Sequence, residues 1–322
     1  MSLRLIVAPE RTEVVADTLE ADLRVTNVVV MRGCAVKPPG DLVLCDVARE
    51  ATSEVLDWLR EQGLYDEGGV VVTAVEATPS RNARATEVAA PGAPDDAIVW
   101  DAVLDRAYGE VRGSWSFYAF LTLATAIAAI AVVTDSSILV VGAMVVGPEF
   151  AAVAALAVGL VARRRSLIMG AIWLLIKGFT IAIAITVVLA YAARLAGWID
   201  LSDVTGERPL TGFIWRPDRW SFVVALLAGC AGVLSQTAGR SNALVGVFIS
   251  VTTVPAAGDI ALSLALGAGE QLAGSAAQLG INLLGMTIAG VVTLLVQRAL
   301  WNAIRTRQRP SVGDRDLQRR AG

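Results

Sequence analysis

Charged residues are spread through the first 112 positions at ordinary density, and then they stop: Gly113 to Thr134 contains none. From there to about residue 300, long apolar runs alternate with short polar junctions. Ahead of the change, apolar positions recur every second or every third to fourth residue, as in strands and helices that bury one face. After it the runs are apolar on all sides, as in helices that cross lipid. The pattern predicts a small α+β domain followed by a helical membrane domain.

In the first part, Leu3–Ala8 alternates like a strand, and Glu10–Asp22 has helical spacing through Val14, Val15, Thr18 and Leu19. Leu23–Arg32 is β-branched and ends at Gly33, and the turn Lys37-Pro38-Pro39-Gly40 leads to a strand at Asp41–Val47. Ser53–Glu61 sets Val55, Leu56 and Leu59 on one helical face, and Gly69–Ala77 is again valine-rich. This βαββαβ order predicts a ferredoxin-like cytoplasmic domain over residues 1–78. Such layouts bind regulatory ligands, and they also serve as caps or assembly surfaces. Pro79, Pro91 and Pro94 mark residues 79–97 as a linker. Residues 98–112 read as an amphipathic juxtamembrane helix, with Trp100, Leu104, Ala107 and Val111 on one stripe.

The membrane domain, residues 113–300, divides at its charge gaps into six spans of roughly 115–134, 137–162, 167–193, 220–238, 242–267 and 273–298. Arg163-Arg164-Arg165, Arg240, Arg298, Arg305, Arg307 and Arg309 fall on one side, which the positive-inside tendency assigns to the cytoplasm. Both termini, including a basic tail over residues 301–322, then face inward. The loop Arg194–Arg219 on the other side also holds four arginines, offset by Asp200, Asp203, Glu207 and Asp218.

The spans repeat. Trp115-Ser116-Phe117 recurs 105 positions later as Trp220-Ser221-Phe222, and Ser136-Ser137-Ile138-Leu139-Val140 recurs as Ser241-Asn242-Ala243-Leu244-Val245. Ile176-Lys177 recurs as Ile281-Asn282. Three spans per copy make the second copy inverted relative to the first, and Asp135 and Arg240 then fall on opposite sides.

The second span of each copy is interrupted. Gly147-Pro148 and Pro255 through Gly258 are the expected helix breaks, because proline lacks an amide donor and clashes with the preceding turn. Breaks in lipid persist where they face protein or water. A carboxylate follows each one, Glu149 after Pro148 and Asp259 after Pro255. A re-entrant hairpin is the alternative, but each half of about 13 residues would reach only about 20 Å at helical rise. Broken full spans are preferred.

A charged side chain at a span centre costs about 2.5–3.5 kcal/mol on insertion scales, so Glu149, Lys177 and Asp259 call for partners. Lys177 is expected at mid-depth beside Glu149 or Asp259, with Gln278 and Asn282 completing a polar cavity. Such a cluster is the candidate pathway for a solute, an ion or an exchanging proton. The alternative is an inert ion pair that fixes helix packing. Trp115, Trp220 and Trp301 suit interfacial belts, whereas Gly285, Ala289 and Gly290 allow close helix approach.

Composition narrows the classes. The 322 residues are 55% hydrophobic and 18% charged, and the mean hydropathy is +0.60. No histidine is present, which removes the commonest general base and metal ligand. Cys34, Cys45 and Cys230 lack CxxC spacing, so free thiols are expected rather than a Cys34–Cys45 bridge or a zinc site. No metal, no cofactor and no enzymatic activity are predicted. A net charge of −3 and the absence of a GxxxxGK loop give no support to nucleic-acid binding or ATP hydrolysis. The N-terminus turns polar within a few residues and shows no signal peptide.

Gly142-Ala143-Met144-Val145-Val146-Gly147-Pro148, together with Ala243-Leu244-Val245-Gly246-Val247 through Val254-Pro255, resembles a widespread bacterial membrane family. It is catalogued as domain of unknown function three hundred and eighty-nine. The resemblance covers about residues 115–300 and implies a hydrophobic membrane domain, with no activity to carry over. Many members have a second proline after the first, where this chain has Glu149-Phe150-Ala151-Ala152, and a Pro-Pro pair where it has Pro255-Ala256.

Duplicated bundles with broken spans are a common plan of membrane transporters. The expected function is therefore an inner-membrane transporter or channel for a small solute or ion, homo-oligomeric in the bilayer, with a regulatory or assembly domain in the cytoplasm. The alternative is a membrane-anchored sensor or scaffold whose cytoplasmic domain binds a ligand or partner.

Overall fold

The computed structural model describes residues 1–90, 92–94, 97–238 and 251–307. Two compact units emerge: Met1–Val103 with the described residues 297–307, and Leu104–Val296. Ser241–Val245, Gly246, Val247, Arg240 and Arg309, which carry parts of the repeat, resemblance and charge patterns, lie outside the described residues.

The N-terminal unit contains β1 (Ser2–Val7), α1 (Pro9–Ala21), β2 (Val25–Val36), β3 (Pro39–Val47), α2 (Arg49–Glu61), the short α3 (Leu64–Glu67) and β4 (Gly69–Thr73). The sheet order is β2-β3-β1-β4, and every neighbouring pair is antiparallel. β1 and β2 flank β3, the arrangement of a split βαβ unit. Alternation along the strands buries Leu3, Leu5 and Val7 of β1 with Val43, Cys45 and Val47 of β3. Val15 and Leu19 of α1 and Val55, Leu56 and Leu59 of α2 close over that face.

β2 runs past its expected end at Gly33 by bulging. Its register against β3 shifts between Met31 and Ala35, with Gly33 at φ 61°. Asp41 holds the bulge: one carboxylate oxygen accepts the Gly33 N–H at 2.7 Å, the other the Thr12 hydroxyl at 2.7 Å. Those two donors, Gly33 first, keep the Asp41 carboxyl below its ordinary range. All three cysteines are free, and burial pushes the Cys45 thiol up to about 12.

The stretch expected to be linker holds a helix, α4 (Arg81–Ala89). Ser80 caps it by accepting the Ala83 N–H at 3.0 Å. The proline at 79 marks where this alanine-rich helix starts, not where structure is lost.

The membrane helices follow α5 (Trp100–Glu110). They are α6 (Trp115–Val133), α7 (Ser137–Val146), α8 (Glu149–Val161), α9 (Arg165–Leu195), the short α10 (Leu201–Thr205), α11 (Arg219–Ala238), α12 (Thr253–Leu266) and α13 (Gly269–Arg307). Among the described residues α6, α9, α11 and α13 are long and apolar enough to cross a membrane, and α7 with α8, bent by 52°, counts as a fifth where the pair is taken as one broken span and not as a re-entrant loop. Six were expected. Part of the span over 242–267 lies outside the described residues, and α12, with 14 residues, is too short to cross alone.

The core of this unit is built from small side chains. Ala124 and Ala128 of α6, Ala152 and Ala154 of α8, Ala182 of α9, Ala225 and Ala228 of α11 and Ala257 of α12 are buried around Phe150, Phe179 and Met286. Small residues let helix backbones approach, the main source of packing energy in lipid. Gly285 meets Ala225, and Gly290 meets Ala157 and Val233, so both serve contacts inside the bundle. Trp115 and Trp220 are exposed, but Trp301 is buried.

Candidate functional site at the helix breaks

Helix α7 starts on Ser136, whose hydroxyl accepts the Leu139 N–H at 3.4 Å. It stops at Val146 because Pro148 supplies no N–H for the carbonyl of Met144. Gly147 is extended, with φ −67° and ψ 127°, and α8 begins directly at Glu149. The predicted break at Gly147-Pro148 is in place.

The second prolyl site differs from expectation. α12 starts at Thr253, so Pro255 occupies its first turn, where a helix has no use for the missing N–H. Gly258 lies inside the continuous helix and is not a break. A methyl group there would fall 2.7 Å from Ala129 N and 2.8 Å from Ala128 Cβ, so Gly258 exists to admit α6. Val251 and Thr252, just ahead of α12, are not helical.

The two interruptions meet. A methyl group on Gly147 would lie 2.6 Å from Cγ2 of Val254 and would strike Oε2 of Glu149. Thr253 donates its hydroxyl to Oε1 of Glu149 at 2.5 Å, joining the start of α12 to the start of α8. The adjacent Thr252 hydroxyl accepts from Nε2 of Gln278 at 2.8 Å and from Nδ2 of Asn282 at 2.9 Å. Glu149, Gln278 and Asn282 are all buried. Two acceptor atoms here, Glu149 Oε2 and Gln278 Oε1, have no hydrogen-bond partner among the described residues. The structure thus brings together Gly147, Pro148, Glu149, Gln278 and Asn282 around Thr252 and Thr253, two threonines that taken singly read as helix glue.

Asp259 belongs to a second cluster. It is 0% exposed and accepts from Nη1 of Arg208 at 2.7 Å and from the Ser275 hydroxyl at 2.6 Å. Nε and Nη2 of Arg208 are buried without a partner among the described residues. Arg208 comes from the loop between α9 and α11. That loop is fastened again where Asp135 accepts the Leu210 N–H at 3.2 Å and the Thr211 hydroxyl at 2.7 Å.

Lys177 is not the partner of either carboxylate. It is exposed on α9, and its Nζ stands 5.8 Å from the centroid of the Tyr118 ring. The register of α9 against α6 explains the difference. Gly178 packs on Phe117 and Leu121, so Lys177 lies level with the first turn of α6 and not with its middle.

Arg208 was the residue that sequence reasoning missed. The available signal was the loop's excess of arginine on the side where the positive-inside tendency expects few. Three of those four arginines have structural employment: Arg208 on Asp259, Arg194 donating to the Ala265 carbonyl at 3.0 Å, and Arg216 stacked 4.4 Å above Trp215.

These features define a helical membrane protein with several apolar spans, preceded by a small antiparallel sheet with helices. Residues 144–288 match the family model described as Domain of unknown function (DUF389), and over that stretch the chain is similar to that family. No curated protein matches the chain. No solved structure matches it either.

Proposed function

We propose that the protein is an inner-membrane transporter or channel for a small solute or ion, with its site where the two helix interruptions meet. One observation carries this reading: polar atoms of Glu149 and Gln278 are buried among apolar helices without partners among the described residues. Buried polar groups are almost always satisfied, and an exception asks for a guest. Interrupted helices that abut at the middle of a bundle are also how membrane carriers expose backbone to cargo.

The inverted three-plus-three plan draws support from element bounds that recur at the sequence offset. α6 ends at Val133 and α11 at Ala238; α8 ends at Val161 and α12 at Leu266. The arginine clusters favour cytoplasmic termini. The N-terminal unit, with its ferredoxin-like strand order, regulates or assembles the membrane part, and the exposed apolar faces of the spans leave room for a homo-oligomer.

The test is solvent access. Single cysteines from Ala143 to Ala152 and from Val251 to Asp259, in a cysteine-free background, would be treated with a membrane-impermeant thiol reagent from each side. Labelling around Pro148 and Thr252, together with ion or solute flux in proteoliposomes, is the expected result. Silence in folded protein would favour the second reading, a membrane-anchored sensor or scaffold. That reading draws on a pocket of about 220 Å³ in the N-terminal unit, lined by Thr26, Asp46, Arg49, Thr86 and Glu87 among others.

A further inference from the structure

We propose that the junction of the two interruptions holds one dehydrated monovalent cation between Glu149 and Gln278, a proposal that rests on the transport reading only for its link to flux. The charge count comes first. Among the described residues, the buried charged side chains of the membrane unit are Glu149, Arg208 and Asp259. Arg208 and Asp259 neutralise one another. Glu149 keeps a formal negative charge, and no cationic side chain reaches it among the described residues. An uncompensated carboxylate in a low-dielectric interior is costly enough that it must take up a proton or a cation.

A proton answers poorly here. It would give Oε2 of Glu149 one hydrogen to donate, enough for Oε1 of Gln278 or for the Met144 carbonyl but not for both. A cation bound by both oxygens removes both deficits. Their side chains are anchored on adjacent residues, Glu149 through Oε1 on Thr253 and Gln278 through Nε2 on Thr252. The C-terminal end of α7 adds a negative helix pole, set against the positive poles where α8 and α12 begin. The Met144 carbonyl there lacks the donor that Pro148 cannot provide. Gly147 leaves Oε2 the space that any side chain would fill. All these ligands are oxygen, the set hard cations prefer. With one carboxylate among them, a single positive charge leaves the junction neutral.

Sodium is the first probe. Full-length protein in detergent would be unfolded thermally in sodium, potassium, lithium or choline chloride at constant ionic strength and pH. The midpoint should rise saturably with at least one alkali cation and not with choline, as linked binding requires. Glu149→Gln should abolish the rise, and Gln278→Leu should shift its half-saturation upward by about tenfold, roughly one lost ligand. Should Glu149→Gln fail to fold, equilibrium dialysis of the wild type with radioactive sodium and potassium decides, with one ion bound per chain expected. Equal responses in all four salts, or a response to pH alone, would overturn the proposal. Cation binding in a bundle that neither labels nor conducts would uphold the site and remove transport. Labelling and flux without any cation effect would do the reverse.

Discussion

Arg208 reaches Asp259 across 51 positions of sequence, and both side chains are shut off from solvent, at 3% and 0% exposure. Removing one partner leaves an unpaired buried charge, a loss of about 3–5 kcal/mol. Arg208→Ala should therefore unfold at markedly lower denaturant than wild type in detergent. The paired replacement Arg208→Met with Asp259→Leu should recover most of the loss, and equal damage from both would refute an electrostatic origin. Asp41 makes the corresponding residue-scale prediction in the N-terminal unit. Its carboxyl titrates lower in the folded chain than in the unfolded one, so its contribution is complete above the unfolded value, near about pH 4. The contribution fades as pH falls through the lower folded value. Glu50, pushed upward by burial, acts with opposite sign, losing its contribution as pH rises. Wild type and Asp41→Asn must therefore be compared. The variant's stability, followed by circular dichroism or by amide exchange at Leu3 and Val43, should be flatter on acidification below about pH 4.

At the scale of the element, two residues of α12 look alike in sequence and behave differently in the fold. Pro255 stands in the first turn, so Pro255→Ala should change stability by no more than about 0.5 kcal/mol. Gly258→Val meets the backbone of Ala129 and should cost about 1–3 kcal/mol or more through overpacking. Denaturation of the two variants side by side checks the order. Proline announces an interruption in a sequence, but it does not say whether the helix stops before it or at it. Glycine in an apolar run is harder still, since a break and a close approach leave the same letter. Lys177 was misplaced for a related reason. Its depth was counted from a charge gap, whereas depth is set by the contact of Gly178 with α6. The helix at Arg81–Ala89 was hidden by its flanking prolines, though Ser80 followed by alanines carried the cap signal.

For the molecule as a whole, the division into an α+β unit and an apolar helical unit was legible from the charge density alone. The strand order of the first was legible from its alternation. The partner of Asp259 was not, because a loop has no periodicity to say where its arginines go. Only the count of positive charges in a loop expected to hold few of them hinted that they were engaged. Sidedness can be measured directly: α9, with a mean hydropathy of 2.3 over its best window, separates Arg164 from Glu207. Single cysteines at those two positions should label from opposite faces of sealed vesicles, and labelling from the same face would deny that α9 spans.

The helices that share this bundle differ in length. α6 has 19 residues and α9 has 31, about 28 and 46 Å at helical rise. A hydrocarbon layer of about 30 Å suits only the shorter one. The surplus of α9 lies before Leu174, which meets Gly113 just ahead of α6, and it exposes Met169 and Trp173. Surrounding lipid must absorb this mismatch, by stretching its chains along one side of the protein or by letting the helix lean. The bilayer is then a selective solvent: thermal stability should climb as reconstitution moves from short-chain to long-chain lipids, and the protein will gather the thicker membrane around itself.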